Sequence, residues 1–339
     1  MAYLVRAVAD GRAGASQLRS WTPLGWYELV APERDRAWTP VVALVAVALL
    51  GVLAAAALER RRDLGAAWWQ ERPGPALARP FPPGWPGALA GPASLATRLF
   101  AGAGLAWSLG LGAFGAVLAA LAPDVGDLLR DNPAMADLVR SATSGGADDL
   151  GLAYLGMTFS LMTAAVSAVA VQGVLAARAE EVQGRAEPVL ATPTPRTAWL
   201  GAHLLAGLLA AVAVAAVLGG ASQLAWTAAG GGGTRVLLAG VNLVPVAACW
   251  AGVAVLAVGW WPRAAGASVW GALAASFLAS FVAPLLGWPS AATAWSPFAH
   301  VEPVPAVGLA VVPALALLAA GAAAALLGAV GVRRRDVTP

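Results

Sequence analysis

Long apolar runs with almost no charge dominate this sequence of 339 residues, and they decide what the chain can fold into. Hydrophobic residues make up 59% of the chain and charged residues only 12%. A helix of about 20 apolar residues crosses the hydrocarbon layer of a membrane, which is roughly 30 Å thick. The sequence therefore predicts an all-α integral membrane protein with about seven transmembrane helices. The predicted spans lie near residues 41–58, 99–121, 151–176, 199–227, 236–260, 265–286 and 305–331.

The basic residues are distributed unevenly among the loops. All 21 are arginine, and the chain has neither lysine nor isoleucine, which is typical of a bacterium with GC-rich DNA. They gather in the loops near 59–98 and 177–198 and in the tail after residue 332, whereas the alternate loops are poor in arginine. The positive-inside bias places the arginine-rich loops and the C-terminus in the cytoplasm of a multi-pass plasma-membrane protein. The net charge of +3 thus reports membrane topology, with the bilayer as partner and no nucleic acid.

Two segments of the chain resemble each other. The sequences "WTPLGW" at 21–26 and "WSPFAH" at 295–300 each precede one apolar span, and both spans end in "RRRD". This predicts the tail of an earlier copy, with one span, in residues 1–63, a cytoplasmic linker in 64–98, and a complete unit of six spans in 99–336. We expect about five further spans of the earlier copy to lie upstream of residue 1.

The predicted spans contain few groups that can do chemistry. No cluster of His, Asp and Glu has the spacing of a metal site, no serine lies in a nucleophile turn, and no lysine is present for a phosphate loop. We therefore predict no catalytic residue, no metal and no cofactor, and a transporter rather than an enzyme. His203 and Cys249 are interpreted as structural residues of the spans.

The segment "EEVQGRAEPVLATPTPRTAW" at 180–199 places three carboxylates and two arginines between two long apolar segments. Helix formers carry the third span past the membrane, Gly184 permits a sharp turn, and Pro188 is tolerated only in the first turn of a helix. The pattern predicts one short surface helix from Ala186 to Ala191, ended by "TPTP". Its apolar ridge would be Val189 and Leu190. Arg185, Glu187 and Arg196 would flank this ridge, and charges of both signs favour a protein partner over an anionic lipid surface. An ordinary solvated loop is the alternative.

The pattern "RAEEVQGRAEPVLATPTPRTAWLGAHLL" resembles the first cytoplasmic loop of ABC type-2 transporter permeases, specifically the bacterial polyketide-antibiotic exporter (tetronasin-resistance-like) family. The segments "DVGDLLRDNPAMADLV", "SPFAHV" and the final "RRRD" are similar to that family as well. The resemblance covers essentially the whole chain.

The resemblance implies an exporter permease that moves an antibiotic-like, lipophilic or amphiphilic compound and works with a separate ABC ATPase subunit. A second permease half or a homodimer partner would complete it. Residues 91–100 would form the elbow helix, whereas segments 123–149 and 281–300 would face outward. The loop at 178–196 would be the coupling loop that docks on the ATPase. Its predicted contact residues are Glu180, Glu181, Arg185, Glu187, Val189, Leu190, Pro193 and Arg196.

Two other functions remain open from the sequence. One is a non-transporting membrane scaffold or a truncated remnant of such a permease. The other is an ion-driven carrier, which the near absence of buried charge disfavours.

Overall fold

A computed structural model describes residues 42, 45–53, 57, 91–132, 149–282 and 286–334 of the chain. Within these residues the protein is helical, with short 3-10 turns and no strand, as predicted. Six of the helices are long and apolar enough to cross a membrane. The helices are α1 (Pro92–Arg130), α2 (Leu150–Val182), α3 (Ala186–Leu190), α4 (Arg196–Ala228), α5 (Arg235–Trp260), α6 (Ala265–Val282) and α7 (Val311–Arg334).

The chain divides into two units, Met1–Ala78 and Arg79–Pro339. In the first unit, residues 45–53 are helical, and they lie inside the predicted span near 41–58. The rest of that span, the first copy of the repeat, the linker up to residue 90 and segment 133–148 fall outside the described residues. A seventh span and the division into permease halves therefore stay predictions.

Among the predicted span boundaries that differ from the structure, two have a clear local reason. Helix α1 continues nine residues past the predicted end of its span at 121, because Val125 and Leu129 pack against Leu150 and Ala153 at the start of α2. Helix α7 begins at Val311 instead of near 305, because residues 301–310 form turns and extended backbone. The first residues of segment 91–100 start α1 and continue into the span without a break. Their assignment to an interfacial elbow helix stays a prediction.

Consecutive long helices run antiparallel. On α1 and α2, the Trp107 side chain donates a hydrogen bond to Gln172 (3.1 Å), while Gly126 lies against Gly151 near the opposite ends of the helices. On α4 and α5, the Gln223 side chain accepts a hydrogen bond from the backbone N–H at position 237 (3.1 Å). Each helix therefore crosses the bundle in the direction opposite to its predecessor.

Helices that are two crossings apart run parallel. Gly252 of α5 lies directly against Gly321 of α7, and seven residues further along both helices Gly259 lies against Gly328. Because the pairs advance together, the two helices share one direction and are in close backbone contact. Small residues at such positions are what helix packing in a membrane requires.

The alternation gives the bundle two ends with different charge. The arginine-rich end contains the start of α1, the end of α2, the start of α4 and the end of α7, and the acidic end contains their opposite termini. Among the described residues, the arginine-rich end carries Arg98, Arg178, Arg185, Arg196, Arg263, Arg333 and Arg334 against Glu180, Glu181 and Glu187. The acidic end carries Arg130 and Arg235 against Asp124, Asp127, Asp131, Asp149 and Glu302.

The segment between α6 and α7 folds back into the bundle. Phe298, in the 3-10 turn Pro297–His300, is buried and stacks on Trp250 of α5 at 6.0 Å between ring centroids. Its ring also meets the edge of Phe277 of α6 at 5.8 Å. The hydroxyl of Ser296 bonds to those of Ser276 (2.6 Å) and Ser280 (2.7 Å). This packing agrees with a re-entrant segment in region 281–300, and the side of the membrane that it faces stays a prediction.

Candidate functional site

The loop between α2 and α4, residues 178–196, begins as a continuation of α2 beyond its apolar part. The helix ends at Val182, and Gly184 follows with a φ of +71°, a conformation that side chains with a Cβ rarely adopt. The Gly184 backbone N–H donates to the carbonyl of Glu181 at 3.0 Å. The predicted turn at Gly184 is therefore present.

Helix α3 is the short surface helix that the sequence predicts. It spans Ala186–Leu190, one residue short of the predicted end, and Pro188 lies in its first turn. The hydroxyl of Thr192 donates to the carbonyl of Val189 at 2.6 Å and so caps the end of the helix. Pro195 is extended, with ψ of 141°, and α4 begins at the next residue. The "TPTP" sequence thus separates α3 from α4 as expected.

Two ion pairs hold the loop in shape. Arg185 donates two hydrogen bonds to Glu180, at 2.7 and 2.9 Å, across the Gly184 turn. This contact raises the pKa of the Arg185 guanidinium above its ordinary value. One turn earlier, Arg178 pairs with Glu181 at 3.0 Å. The two pairs fix the direction in which the chain leaves α2.

The structure distributes the predicted contact residues over three environments. Arg185, Glu187 and Pro193 are exposed, and Arg185 keeps 52% of its side-chain surface although it is paired. Glu180 and Arg196 are partly exposed. These five residues remain available to a partner at the surface.

Three of the predicted contact residues are placed differently from the sequence interpretation. The Glu181 side chain is only 1% exposed in its pair with Arg178, although it lines a groove beside α3, so its role as a contact residue stays a prediction. Val189 and Leu190 are half-buried and pack against the core of the bundle. The reason is helical spacing, because Ala186, Val189 and Leu190 share one face and that face turns inward. The predicted apolar ridge is therefore mostly directed at the protein itself.

A groove of about 500 Å³ lies beside α3. The exposed rim carries Glu187 and Arg196, which have opposite charge, and Leu190 contributes to its apolar wall. Ala191, Thr194 and Pro195 also line it, and the sequence interpretation did not include them. Their signal was the "TPTP" segment itself, because an extended stretch between two helices leaves a concave surface. The groove has the chemistry of a contact site for a short protein segment, with an apolar wall and charges of both signs at the rim.

Within the described residues, no group of three His, Cys, Asp or Glu side chains is placed to hold a metal ion. His203, at the start of α4, is buried and meets the edge of the Trp199 ring at 5.3 Å. Cys249 is a buried free thiol in α5.

Comparison with known proteins assigns the chain to a family. Residues 89–333 match the family described as multidrug efflux system permease Rv1217c, C-terminal domain. The chain is 35% identical over 341 residues to the multidrug efflux system permease protein Rv1217c of Mycobacterium tuberculosis. The alignment covers 99% of this chain and 60% of that relative. The match and the six candidate spans together show that the chain belongs to the family of the multidrug efflux system permease Rv1217c C-terminal domain.

Proposed function

We propose that this chain is the permease part of an ATP-driven ABC type-2 efflux transporter, which moves lipophilic or amphiphilic, antibiotic-like compounds out of the cell. The observation that carries the proposal is the family membership, because the relative from Mycobacterium tuberculosis is a multidrug efflux system permease. The six apolar helices support a path across the membrane. A compound of this kind suits walls made of small apolar side chains.

The proposed orientation follows from the charge of the two ends. Seven arginines and three glutamates lie at one end of the described bundle, and two arginines and five acidic residues lie at the other. The positive-inside bias favours a cytoplasmic position for the arginine-rich end, which includes the last turn of α7. The α2–α4 loop would then face the cytoplasm, and the acidic end with the re-entrant segment would face outward.

In this orientation α3 and its groove would be the docking site of a separate ATPase subunit. The chain has no lysine, so it has no phosphate loop of the Walker type, and the nucleotide would be bound outside this chain. Glu187 and Arg196 present opposite charges at the groove, and Arg185 and Pro193 are exposed on the same loop. A second permease half or a second copy of this chain would complete the translocation path.

Energy from ATP would reach the spans through this loop. Val189 and Leu190 pack against the core, while the Glu180–Arg185 pair ties α2 to the turn before α3. An ATPase that holds α3 differently in its two states would favour one arrangement of α2 and α4 over the other. The coupling needs only this difference in affinity.

Glu187 is the residue to test, because it is exposed on α3 and lines the groove, whereas Glu180 and Glu181 pair with Arg185 and Arg178. We expect Glu187→Arg to weaken co-purification with the ATPase encoded beside the permease by about tenfold and to remove substrate-stimulated ATP hydrolysis. Asp124→Arg, an identical charge reversal at the acidic end, is the matched control and should change neither.

The outcomes separate the candidate functions. If Glu187→Arg behaves like Asp124→Arg, the docking assignment is wrong. A wild-type complex that forms but shows no substrate-stimulated hydrolysis and no export would indicate a scaffold. Export that collapses with an ionophore at constant ATP would indicate an ion-driven carrier.

A further inference from the structure

A second cavity lies on the side of the bundle between α4, α5 and α7, and it has a volume of about 520 Å³. Its walls are apolar, with Leu200, Leu204 and Leu208 on α4 facing Ala322, Ala325 and Ala329 on α7. Small residues of α5, including Gly252, form its floor. Neither the docking of an ATPase at α3 nor the re-entrant segment uses this cavity.

The depth of the cavity corresponds to one leaflet of a membrane. On α4 it extends from Thr197, in the first turn, to Leu208. Eleven residues of helix rise about 16 Å, and half of a typical hydrocarbon layer is about 15 Å. The cavity therefore begins at the arginine-rich end and stops near the middle of the bilayer.

Arginines lie at the end of the helices where this cavity begins. Arg333 follows Ala329 by four residues, so it shares the cavity face of α7, and it is exposed. Arg196 directly precedes Thr197 on α4, but it lines the groove beside α3. A groove with apolar walls and a cationic group near its open end matches an amphiphile with a negative headgroup and an acyl chain.

The cavity is too small to enclose a whole helix. A helix segment 16 Å long with a diameter of 10 Å occupies roughly 1,300 Å³. The cavity offers about 520 Å³, within the range of small-molecule sites. An acyl chain, which is much thinner than a helix, suits this space.

We propose that the groove between α4, α5 and α7 binds one anionic phospholipid, with its acyl chain along Leu200, Leu204 and Ala322 and its headgroup at Arg333. The bound lipid would lie over the floor that α5 and α7 form where Gly252 meets Gly321. This binding does not depend on the proposed export of drugs.

The test is native mass spectrometry of the full chain after incubation in nanodiscs of phosphatidylglycerol and phosphatidylcholine in equal amounts. The wild-type protein should retain one phosphatidylglycerol in preference to phosphatidylcholine. Ala322→Leu fills the groove and should reduce the retained lipid at least threefold. Ala323→Leu is the matched control, because Ala323 is also exposed on α7 but does not line the groove. This variant should retain lipid like the wild type.

The headgroup assignment has its own variant. Arg333→Gln should lower the preference for phosphatidylglycerol about fivefold, whereas Arg235→Gln at the acidic end should leave it unchanged. Equal retention of both lipids by the wild type, or equal behaviour of Ala322→Leu and Ala323→Leu, would overturn the proposal. A change of oligomeric mass in Ala322→Leu without bound lipid would instead show that a second permease chain covers the groove.

Discussion

The close contact between α4 and α5 requires a glycine at position 219, whereas position 220 has room for a side chain. Comparing substitutions at these two positions tests this helix contact. A Cβ on Gly219 would lie 2.9 Å from the carbonyl oxygen at position 237 and 3.2 Å from the Cα of Gly240 on α5. Both atoms are backbone, so α4 and α5 must separate by about half an ångström to restore ordinary contact. A Cβ on Gly220 meets nothing within 4 Å.

The two substitutions share one energy term and differ in another. Changing either glycine to alanine in a helix stabilises it by about 0.5–1 kcal/mol, and this gain cancels in the comparison. Overpacking at a close helix contact costs about 1–3 kcal/mol. Part of this cost arises because the separation of α4 and α5 also weakens the dispersion contacts between neighbouring side chains. We therefore expect Gly219→Ala to be about 1–3 kcal/mol less stable than Gly220→Ala.

The assay is unfolding of the purified chain in mixed micelles of mild detergent and SDS, followed by circular dichroism. A third variant makes the test stricter: Gly240→Ala lies at the same contact, so one separation of the helices accommodates both methyl groups. The double variant Gly219→Ala with Gly240→Ala should then cost clearly less than the sum of the single variants. Equal stability of Gly219→Ala and Gly220→Ala, or full additivity with Gly240→Ala, would refute the close α4–α5 contact.

Two further predictions concern the polar contacts of the re-entrant segment and the loop. Ser296→Ala leaves the buried hydroxyl of Ser276 without its partner and should cost about 1–3 kcal/mol in the same unfolding assay, whereas Ser268→Ala, whose hydroxyl bonds only within α6, should cost less. Arg185→Glu places two carboxylates together and should speed hydrogen exchange of residues 183–195, whereas adding Glu180→Arg restores an ion pair and should restore protection. The effect is about 0.2–1 kcal/mol because the pair is partly exposed, and equal exchange in both variants would show that the pair does not order the loop.

The local features of the α2–α4 loop could be predicted from the sequence because they depend on backbone rules. Gly184 supplies a positive φ, Pro188 fits only a first turn, and the prolines at 193 and 195 stop a helix wherever they occur. None of these rules needs information about a distant residue. The start and end of α3 could therefore be predicted from the sequence to within one residue.

The burial of Glu181 and the packing of the re-entrant segment depend on contacts that the sequence does not display. The helices around α2 determine whether Glu181 faces the bundle or the surface. The sequence does show that Glu181 lies three residues after Arg178, a spacing at which an ion pair can form on a helix. Ser296 meets Ser276 across 20 residues, and no local pattern specifies that meeting. The continuation of α1 past residue 121 depends in the same way on the packing of Val125 and Leu129 against Leu150 and Ala153 of α2.

The shape of the loop would allow so short a helix to transmit force to the spans, as the proposed coupling requires. A five-residue helix has little stability of its own, so a free α3 would yield under load without moving α2 or α4. Here the inward face of α3 packs on the core, an ion pair braces the turn before it, and only a short extended segment separates it from α4. Close glycine contacts then join α2 to α4 and α4 to α5. A displacement of α3 is therefore shared by several spans, and this rigidity, rather than the affinity of any one charged residue, is what the proposed coupling requires.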